Sequence, residues 1–545
     1  MTRLRRLVGH LALGTVMAGV GAVVALLGGV IAVRGLLAAG LPSPVVNVSA
    51  VTAMNLSAGV ANNSPKIVAD PKDSRFVVIA NRIDAPDFGC TLQISGDGGK
   101  TWLSARPVPE LPPGADKCYA PEVAFDRTGT LYYLFVGLHG NGNQPMGAFL
   151  TTSSNHGHFF SKPTKALGPL NFGVRIAFDP SIGPLGRLHM VWLEASSSPS
   201  LGGFGSGPNP VMSSFSDDGG RTFSGAVQVS DSERTRVVAP ALALGPDHVV
   251  HVGYYDLGRD AIDYQGLIGP TWDQNWSVVM TTSVDGGRHF GRGVVVDGSV
   301  VPPGRVMLIF TMPPVSMVVD GSRTCVAWTD ARHGDPDVLL RCSDNRGASW
   351  PGAPVRLNDD AVGDGRAQYL PQLSVSPQGR IDAVFYDRRN DPSNVLTDVG
   401  YTYSNDGGRH FAANIQLSQR SFDSRIGEQY AVPSAKGLVE FGSRLGLLSL
   451  RSGPIAVWTD TSNSSSFTTS QDLFSGTVSL PGGGFRPGSS VPVGLILFVG
   501  GLLIVSIAAR RRRDSGPPDE PDSSKPVEAP TKEDATVAEG VAAEG

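Results

Sequence analysis

A short polar motif recurs six times along the chain, and this repetition constrains the fold more than any other feature of the sequence. The copy Ser95-Gly-Asp97-Gly-Gly99-Lys-Thr101-Trp102 returns nearly unchanged with its first serine at 216, 283 and 404, and in degenerate form at 153 and 343. The copies begin about 62 residues apart, and a fixed long period indicates an array of similar supersecondary units. Such units bury a core only by packing against their neighbours.

The pattern S-x-D-x-G-x-[TS]-[WF] resembles the Asp box, or BNR repeat, of sialidases. The resemblance implies a β-propeller in which each box forms the turn between the third and fourth strands of a blade. The carboxylate of such a turn accepts nearby backbone N–H groups, and the glycine supplies a positive φ. The residues expected in this structural role are Asp97, Asn155, Asp218, Asp285, Asn345 and Asp406.

The same frame of strands surrounds each box. A short strand comes first, a more apolar one such as Leu131-Tyr-Tyr-Leu-Phe135 comes second, and the box joins the third to the fourth. Seven apolar second strands occur between residues 45 and 480. We therefore predict an all-β, sialidase-like propeller of seven four-stranded blades, with six blades as the alternative. The last unit shows three strands, and residues 45–51 are expected to supply its fourth.

Two apolar runs flank the repeats. Residues 7–33 carry no charge and follow three arginines, whereas residues 491–509 precede four arginines. About 20 residues suffice to cross a bilayer as a helix, and positive residues stay cytoplasmic. The predicted organisation is a cytoplasmic N-terminus (1–6), a transmembrane helix (7–33), a linker (34–44), an extracellular propeller (45–480), a Gly/Pro/Ser stalk (481–490), a transmembrane helix (491–509) and a cytoplasmic tail (510–545), basic at first and then acidic and disordered.

This organisation places the protein in the plasma membrane with both termini inside. The alternative is a long signal peptide cleaved near Ala38-Ala39-Gly40.

Alternating strand directions give the propeller two faces. The boxes and the 1–2 turns share one, here called the box face; the 2–3 loops and the connections between blades share the other, the long-loop face. Cys90 and Cys118 both fall on the long-loop face, and Cys325 lies opposite Cys342 when strands two and three of that unit are aligned. We predict disulfides Cys90–Cys118 and Cys325–Cys342, because an extracellular location permits oxidation. Free thiols are the alternative.

The resemblance to sialidases further implies three arginines on a substrate carboxylate, a Tyr nucleophile assisted by a Glu, and an Asp acid/base. The family's early Arg-Ile-Pro motif is absent, since blade one begins Asn63-Ser-Pro65-Lys66-Ile67. Catalytic residues are therefore not assigned. The candidate ligand-binding residues, all in connections between blades, are Arg366, Tyr369, Arg425, Glu428 and Tyr430. The alternative for the segment around Arg425 is an ion-pair cluster joining blades six and seven.

Two further features lie on the long-loop face. The repeated motif Asp330-Ala-Arg332 and Asp387-Arg-Arg389 is expected to stabilise 2–3 loops by ion pairs, with ligand contact or a cation site as the alternative. The aromatic segment 254–276 is a candidate glycan or partner surface, or else a lid packed on its own rings.

The composition limits the remaining classes of function. A net charge of −4 provides no basic stripe, which argues against a nucleic-acid-binding protein. The ten histidines lack metal-ligand spacing and no glycine-rich phosphate loop occurs, so we predict neither a metal nor a cofactor. The favoured function is membrane-anchored recognition of a glycan or a cell-envelope protein. The alternatives are an exo-acting glycoside hydrolase of the sialidase type and a scaffold in a membrane protein complex.

Overall fold

The computed structural model describes residues 45–50, 60–103, 106–107, 110–195, 208–258, 274–302, 314–423, 426, 441–464 and 470–480. The runs 7–33 and 491–509, predicted to span a membrane, lie outside these residues. Within the described part, no helix is long and apolar enough to cross a bilayer.

The described chain forms seven antiparallel sheets, the blades of a propeller. Blades one and two contain β2 (Asn62–Ala69), β3 (Val77–Ile83), β4 (Gly89–Ser95), β5 (Arg106–Pro107), β6 (Lys117–Phe125), β7 (Leu131–His139), β8 (Gln144–Ser153) and β9 (Thr164–Leu167). Blades three and four contain β10 (Asn171–Asp179), β11 (Arg187–Glu194), β12 (Val211–Ser216), β13 (Val227–Gln228), β14 (Val237–Leu244), β15 (Val250–Asp256), β16 (Trp276–Ser283) and β17 (Val294–Val300).

Blades five and six contain β18 (Ser316–Asp320), β19 (Arg323–Asp330), β20 (Asp337–Ser343), β21 (Val355–Arg356), β22 (Gln368–Val375), β23 (Ile381–Asp387), β24 (Leu396–Ser404), β25 (Ile415–Gln416) and the short β26 (Phe422–Asp423), which pairs with β24. Blade seven contains β27 (Gly446–Leu450), β28 (Gly453–Asp460), β29 (Asp472–Ser479) and β1 (Val45–Ala50).

The two ends of the propeller meet in blade seven. Strand β1 pairs antiparallel with β29, so that Val45 lies opposite Ser479 and Ala50 opposite Phe474. The N-terminal segment thus supplies the fourth strand of the last blade, and the prediction of seven blades closed in this way is confirmed. Strand β1 thus covers the outer edge of β29, on the side of the blade opposite β27.

The first strand of each blade lies innermost. These strands contact one another around the ring in the order β2, β6, β10, β14, β18, β22 and β27, and β27 contacts β2 again. Apolar side chains fill the space between neighbouring blades. Val78 and Ala80 of blade one, for example, share a core with Leu131 and Tyr133 of blade two. The innermost strands therefore surround the propeller axis.

The Asp boxes occupy the 3–4 turns, on the face opposite the long loops. In blade six the Asp406 carboxylate accepts hydrogen bonds from the backbone N–H groups of Arg409 and His410, both at 3.0 Å. It also accepts the Ser404 hydroxyl at 2.8 Å. Ser404 in turn accepts the N–H of Gly408 at 2.8 Å, so the box closes on itself. Nothing in this local geometry requires a ligand.

We expect Asp406→Ala to lower the free energy of unfolding by about 1–2 kcal/mol, because two backbone donors and a hydroxyl lose their acceptor. Chemical denaturation of purified protein measures this change. The matched control is Asp406→Asn, since blade five already uses Asn345, which accepts the Ser349 N–H at 3.0 Å. If Asp406→Asn and Asp406→Ala lowered the free energy of unfolding equally, the loss of stability would not come from the missing acceptor.

Both cysteine pairs form disulfides in the structure. Cys90 of β4 is joined to Cys118 of β6, which ties blade one to blade two. Cys325 of β19 is joined to Cys342 of β20, and the two residues lie directly opposite in the strand register. These are the two predicted pairs, the first predicted from the shared long-loop face and the second from the strand alignment.

Candidate functional site

Five innermost strands contain the same irregularity near their start, and blade seven has it four residues before β27. In each, one residue has a positive φ, which is rare outside glycine: Ser64, Ala120, Gly173, Ala239, Leu370 and Gly442. The residue two positions later lines a cavity on the propeller axis: Lys66, Glu122, Arg175, Ala241, Gln372 and Arg444. The four residues other than glycine carry backbone strain that the surrounding structure must stabilise. In all six blades the irregularity precedes a residue that lines the cavity.

The axial cavity has a volume of about 330 Å³ and two unlike walls. Blades seven, one, two and three contribute Arg444, Lys66, Glu122 and Arg175, which form one charged wall, here called the axial cluster. The opposite wall, from blades four to six, carries small or neutral residues: Ala241, Ala243, Pro314, Ser316, Gln372 and Ser374. The small side chains leave room in front of the charges. Because the cluster lies near the start of each innermost strand, it belongs to the long-loop end of the axis.

Glu122 is the centre of the axial cluster. Its side chain is 1% exposed, and its Oε1 accepts hydrogen bonds from Arg175 Nη1 at 3.1 Å and from Arg444 Nη1. Burial by itself disfavours the carboxylate, but Arg444 and Arg175 outweigh that effect and hold the pKa of Glu122 below its ordinary value. Glu122 is therefore ionised at neutral pH. Its second oxygen, Oε2, is buried without a hydrogen-bond partner among the described residues.

All three guanidinium nitrogens of Arg444 donate hydrogen bonds to other residues of the protein. Its Nε donates to the Ser64 carbonyl oxygen at 3.2 Å and its Nη2 to the Pro121 carbonyl oxygen at 2.7 Å, in addition to its bond with Glu122. One side chain thus joins blade seven to blades one and two. These hydrogen bonds are sufficient to account for the burial of Arg444, and no ligand is needed.

Lys66 differs from Arg444. Among the described residues its ammonium group has neither a hydrogen-bond partner nor an ion-pair partner, although it lines the cavity. Burial, opposed by Glu122 and reinforced by Arg444 and Arg175, lowers its pKa. Three cations face one carboxylate, which gives the described cavity wall a formal charge of +2. Uncompensated positive charge at a buried wall favours an anionic ligand.

The residues predicted from sequence to bind ligand lie elsewhere or outside the described chain. Tyr369 is 2% exposed, packs in the core of blades six and seven, and lies under the Arg388 guanidinium at 5.2 Å. Arg366 pairs with Asp364 at 2.9 Å. Neither side chain lines the axial cavity. Arg425, Glu428 and Tyr430 fall outside the described residues, so the ligand-binding role of all five stays a prediction.

The repeated Asp-x-Arg motif forms ion pairs within the loops. Arg332 pairs with Asp330 at 2.6 Å and with Asp297 at 3.0 Å, and Arg389 pairs with Asp387 at 2.5 Å. In each motif the first Asp also accepts the backbone N–H of the Arg at 2.9 Å. Both arginines thus have partners within the protein, in line with the structural interpretation.

The aromatic segment 254–276 is described only at its two ends. Tyr254, Tyr255 and Trp276 are all buried, with at most 4% of their surface exposed. These three rings belong to the core. No group of three or more His, Cys, Asp or Glu side chains arranged to hold a metal occurs in the part of the chain that the structure describes.

One sequence signal could have located the axial cluster. In four blades a proline precedes the axis-facing residue, giving Pro65-Lys66, Pro121-Glu122, Pro240-Ala241 and Pro371-Gln372. Proline has no N–H and is confined to bulges and edges of sheets. Its recurrence at one place in the repeat marks an irregular strand, and the residue after it varies from blade to blade. Arg175 and Arg444 follow Val174 and Ser443 instead, so this signal finds only half of the cluster.

The fold and the site together define a seven-bladed β-propeller with a cationic axial cavity. No protein-family model matches the chain, and no curated protein matches it significantly. Solved structures with a similar fold include a Hadza microbial sialidase (12% identity, TM-score 0.41, covering 75% of this chain and 74% of that one). They also include a leech intramolecular trans-sialidase (12%, 0.43, 65% and 70%) and an ulvan lyase of polysaccharide lyase family 25 (12%, 0.42, 77% and 94%). Likenesses of this size carry no information about the ligand or activity of this chain.

Proposed function

We propose that this protein is a cell-surface recognition module that binds an acidic glycan in its axial cavity. The observation that carries the proposal is Lys66, a half-buried cation that lines the cavity and has no partner among the described residues. A protein whose cluster served only to join blades would gain nothing from this charge. Arg444 already makes that connection with every nitrogen of its guanidinium.

The state of Glu122 does not suit the acid of a glycosidase. A glycosidase needs a carboxylic acid with a raised pKa to protonate the leaving oxygen. Glu122 has a lowered pKa and is held by two guanidinium groups, so it acts as a fixed negative charge. The sialidase alternative is tested directly by incubating the purified protein with a fluorogenic sialoside, where turnover would overturn the binding-only proposal.

The ends of the propeller support a membrane-anchored arrangement. Val45 and Ser479 lie opposite each other, and both are at the box-face end of their strands, since β29 runs from the 2–3 loop towards the 3–4 turn. If residues 7–33 and 491–509 anchor the chain in the plasma membrane, both tethers leave from one edge of the box face. A scaffold in a membrane complex would instead use the anchors as its contact surface.

The test is Lys66→Met, which removes the unpartnered charge and keeps most of the length of the side chain. We expect affinity for acidic glycans to fall about tenfold or more, in line with the loss of a charge-assisted contact. The melting temperature should rise, because the remaining wall carries less uncompensated charge. Binding to a panel of acidic and neutral glycans, with calorimetric melting, measures both effects.

The matched control is Lys100→Met, which removes an exposed cation from the box face. It should change neither quantity. A Lys66→Met protein that binds acidic glycans as the wild type does would rule out the axial cavity as the ligand site.

A further inference from the structure

The cations of the axial cluster are not equally available to a ligand. Arg444 is committed to Glu122, Ser64 and Pro121, so the cations open to a ligand are Lys66 and Arg175. These two lie on blades one and three, on either side of Glu122 in blade two. The Arg175 side chain is 15% exposed and that of Arg444 is 9% exposed. A ligand therefore meets two cations with an anion between them.

The charge of the cavity sets the charge of its ligand. The described wall carries a formal charge of +2, and its four charged side chains are Lys66, Glu122, Arg175 and Arg444. A single carboxylate would leave one positive charge uncompensated in a partly desolvated cavity, where charge is costly. A group with two negative charges would neutralise the wall. Phosphate monoesters carry nearly two at neutral pH, because their second pKa is about 6.

The free oxygen of Glu122 adds a second requirement. Oε2 is buried without a partner among the described residues, and Glu122 is ionised, so this oxygen only accepts hydrogen bonds. A buried acceptor left without a donor is unfavourable. A ligand that fits must place a hydroxyl or another donor here. A bare oxyanion cannot, and it would be repelled by the carboxylate.

The opposite wall leaves space for the rest of such a ligand. Ala241, Ser316 and Ser374 are small, and the cavity volume of about 330 Å³ is at the lower end of the range for small-molecule sites. Gln372 provides an amide on this side; its Nε2 donates to the Leu373 carbonyl oxygen at 3.2 Å. Hydroxyl groups suit a wall of this polarity.

We propose that the axial cavity selects a phosphorylated sugar, with its dianionic phosphate on Lys66 and Arg175 and a hydroxyl donating to Oε2 of Glu122. This inference rests on the proposed function and specifies its ligand. The dianionic charge distinguishes the ligand from a simple uronate. The hydroxyl distinguishes it from sulfate or another anion without a donor.

The experiment compares probes that differ in one property, using the full-length protein and calorimetric titration at pH 7.5. Glucose 6-phosphate carries two charges and hydroxyls, its methyl phosphodiester and glucuronate carry one charge, and glucose carries none. We expect glucose 6-phosphate to bind at least tenfold tighter than the diester and glucuronate, with no measurable binding of glucose. Hydrogen phosphate, which has an O–H donor, should bind more tightly than sulfate, which has none.

The Lys66→Met variant provides the second arm. With a formal wall charge of +1, it should bind the monoester and the diester about equally, whereas Lys100→Met should keep the preference. Equal binding of the monoester, diester and glucuronate by the wild type would overturn the phosphate inference and leave acidic-glycan recognition intact. Binding of sulfate as tight as that of hydrogen phosphate would remove the role of Oε2. If no anion bound at all, the proposed function would fall with the inference.

Discussion

Replacing Glu122 with Gln should lower the free energy of unfolding by about 3–5 kcal/mol, the usual cost of removing one partner from a buried ion pair. The substitution keeps the shape of the side chain but leaves Lys66, Arg175 and Arg444 facing the axis without an anion. Arg175 and Arg444 cannot lose their protons. Denaturant unfolding of the purified protein at pH 7 measures the loss, which should exceed that of any single Asp-box substitution.

The pH dependence identifies the cause. Glu122 opposes the lowering of the Lys66 pKa, so its removal should lower that pKa further. Between the lowered folded-state pKa and the ordinary lysine value of about 10.4, the unfolded chain binds more protons than the folded one. Stability must then rise with pH over this window. In the variant the rise should therefore begin at a lower pH than in the wild type, and the total gain in stability should be larger.

A double variant serves as the control. Adding Lys66→Met to Glu122→Gln removes the titrating group and one of the three uncompensated charges, so part of the lost stability should return and the extra gain with pH should disappear. A Glu122→Gln protein as stable as the wild type, with the same pH profile, would mean that the cluster is hydrated and screened.

The fold could be predicted because its signals are local. The acceptor, the hydroxyl and the glycine of an Asp box lie within a few residues of one another, and their hydrogen bonds are made inside the box, as between Asp406 and Ser404. The number of blades followed from counting strands. Even the closing strand was expected, since the last unit lacked a fourth strand and β1 had no other partner.

The site could not be predicted in the same way, because its parts are distant in sequence. Arg444 and Glu122 are brought together only by closure of the ring. No spacing rule links them, and each blade contributes a single residue. The irregularity near the start of an innermost strand also changes which residue faces the axis. In blade six the register shifts between Tyr369 and Gln372, so that Tyr369 enters the core and Gln372 lines the cavity.

Blade closure and the axial site depend on each other. Arg444 begins the segment that leads into β27, and it reaches Glu122 only if blade seven is seated between blades six and one. Blade seven is also the blade assembled from both ends of the propeller. A change that loosens this blade should therefore destabilise the axial cluster as well as the pairing of β1 with β29.

Replacing Gly453 with Ala is such a change, and we expect it to cost about 3–5 kcal/mol. Gly453 follows a two-residue turn between β27 and β28, with a φ of +138°. A Cβ atom there would lie 2.2 Å from the carbonyl oxygen of Val478 in β29, and Val478 pairs with Val46 of β1. Backbone strain contributes about 1–3 kcal/mol and the overlap a similar amount. The backbone oxygen can move only if β29 shifts.

Gly321→Ala provides the matched comparison in blade five. Gly321 lies in the equivalent turn between β18 and β19, with a φ of +61°, and an added Cβ would meet no atom within 4 Å. Its cost should be about 1–2 kcal/mol, that of a left-handed conformation alone. Denaturant unfolding gives both values, and hydrogen exchange shows where each variant loosens. Faster exchange in β1 and β29 with Gly453→Ala alone would locate the effect in the closing blade, because only there does the turn press on a neighbouring strand. Equal costs for the two variants would mean that Val478 does not approach Gly453 this closely.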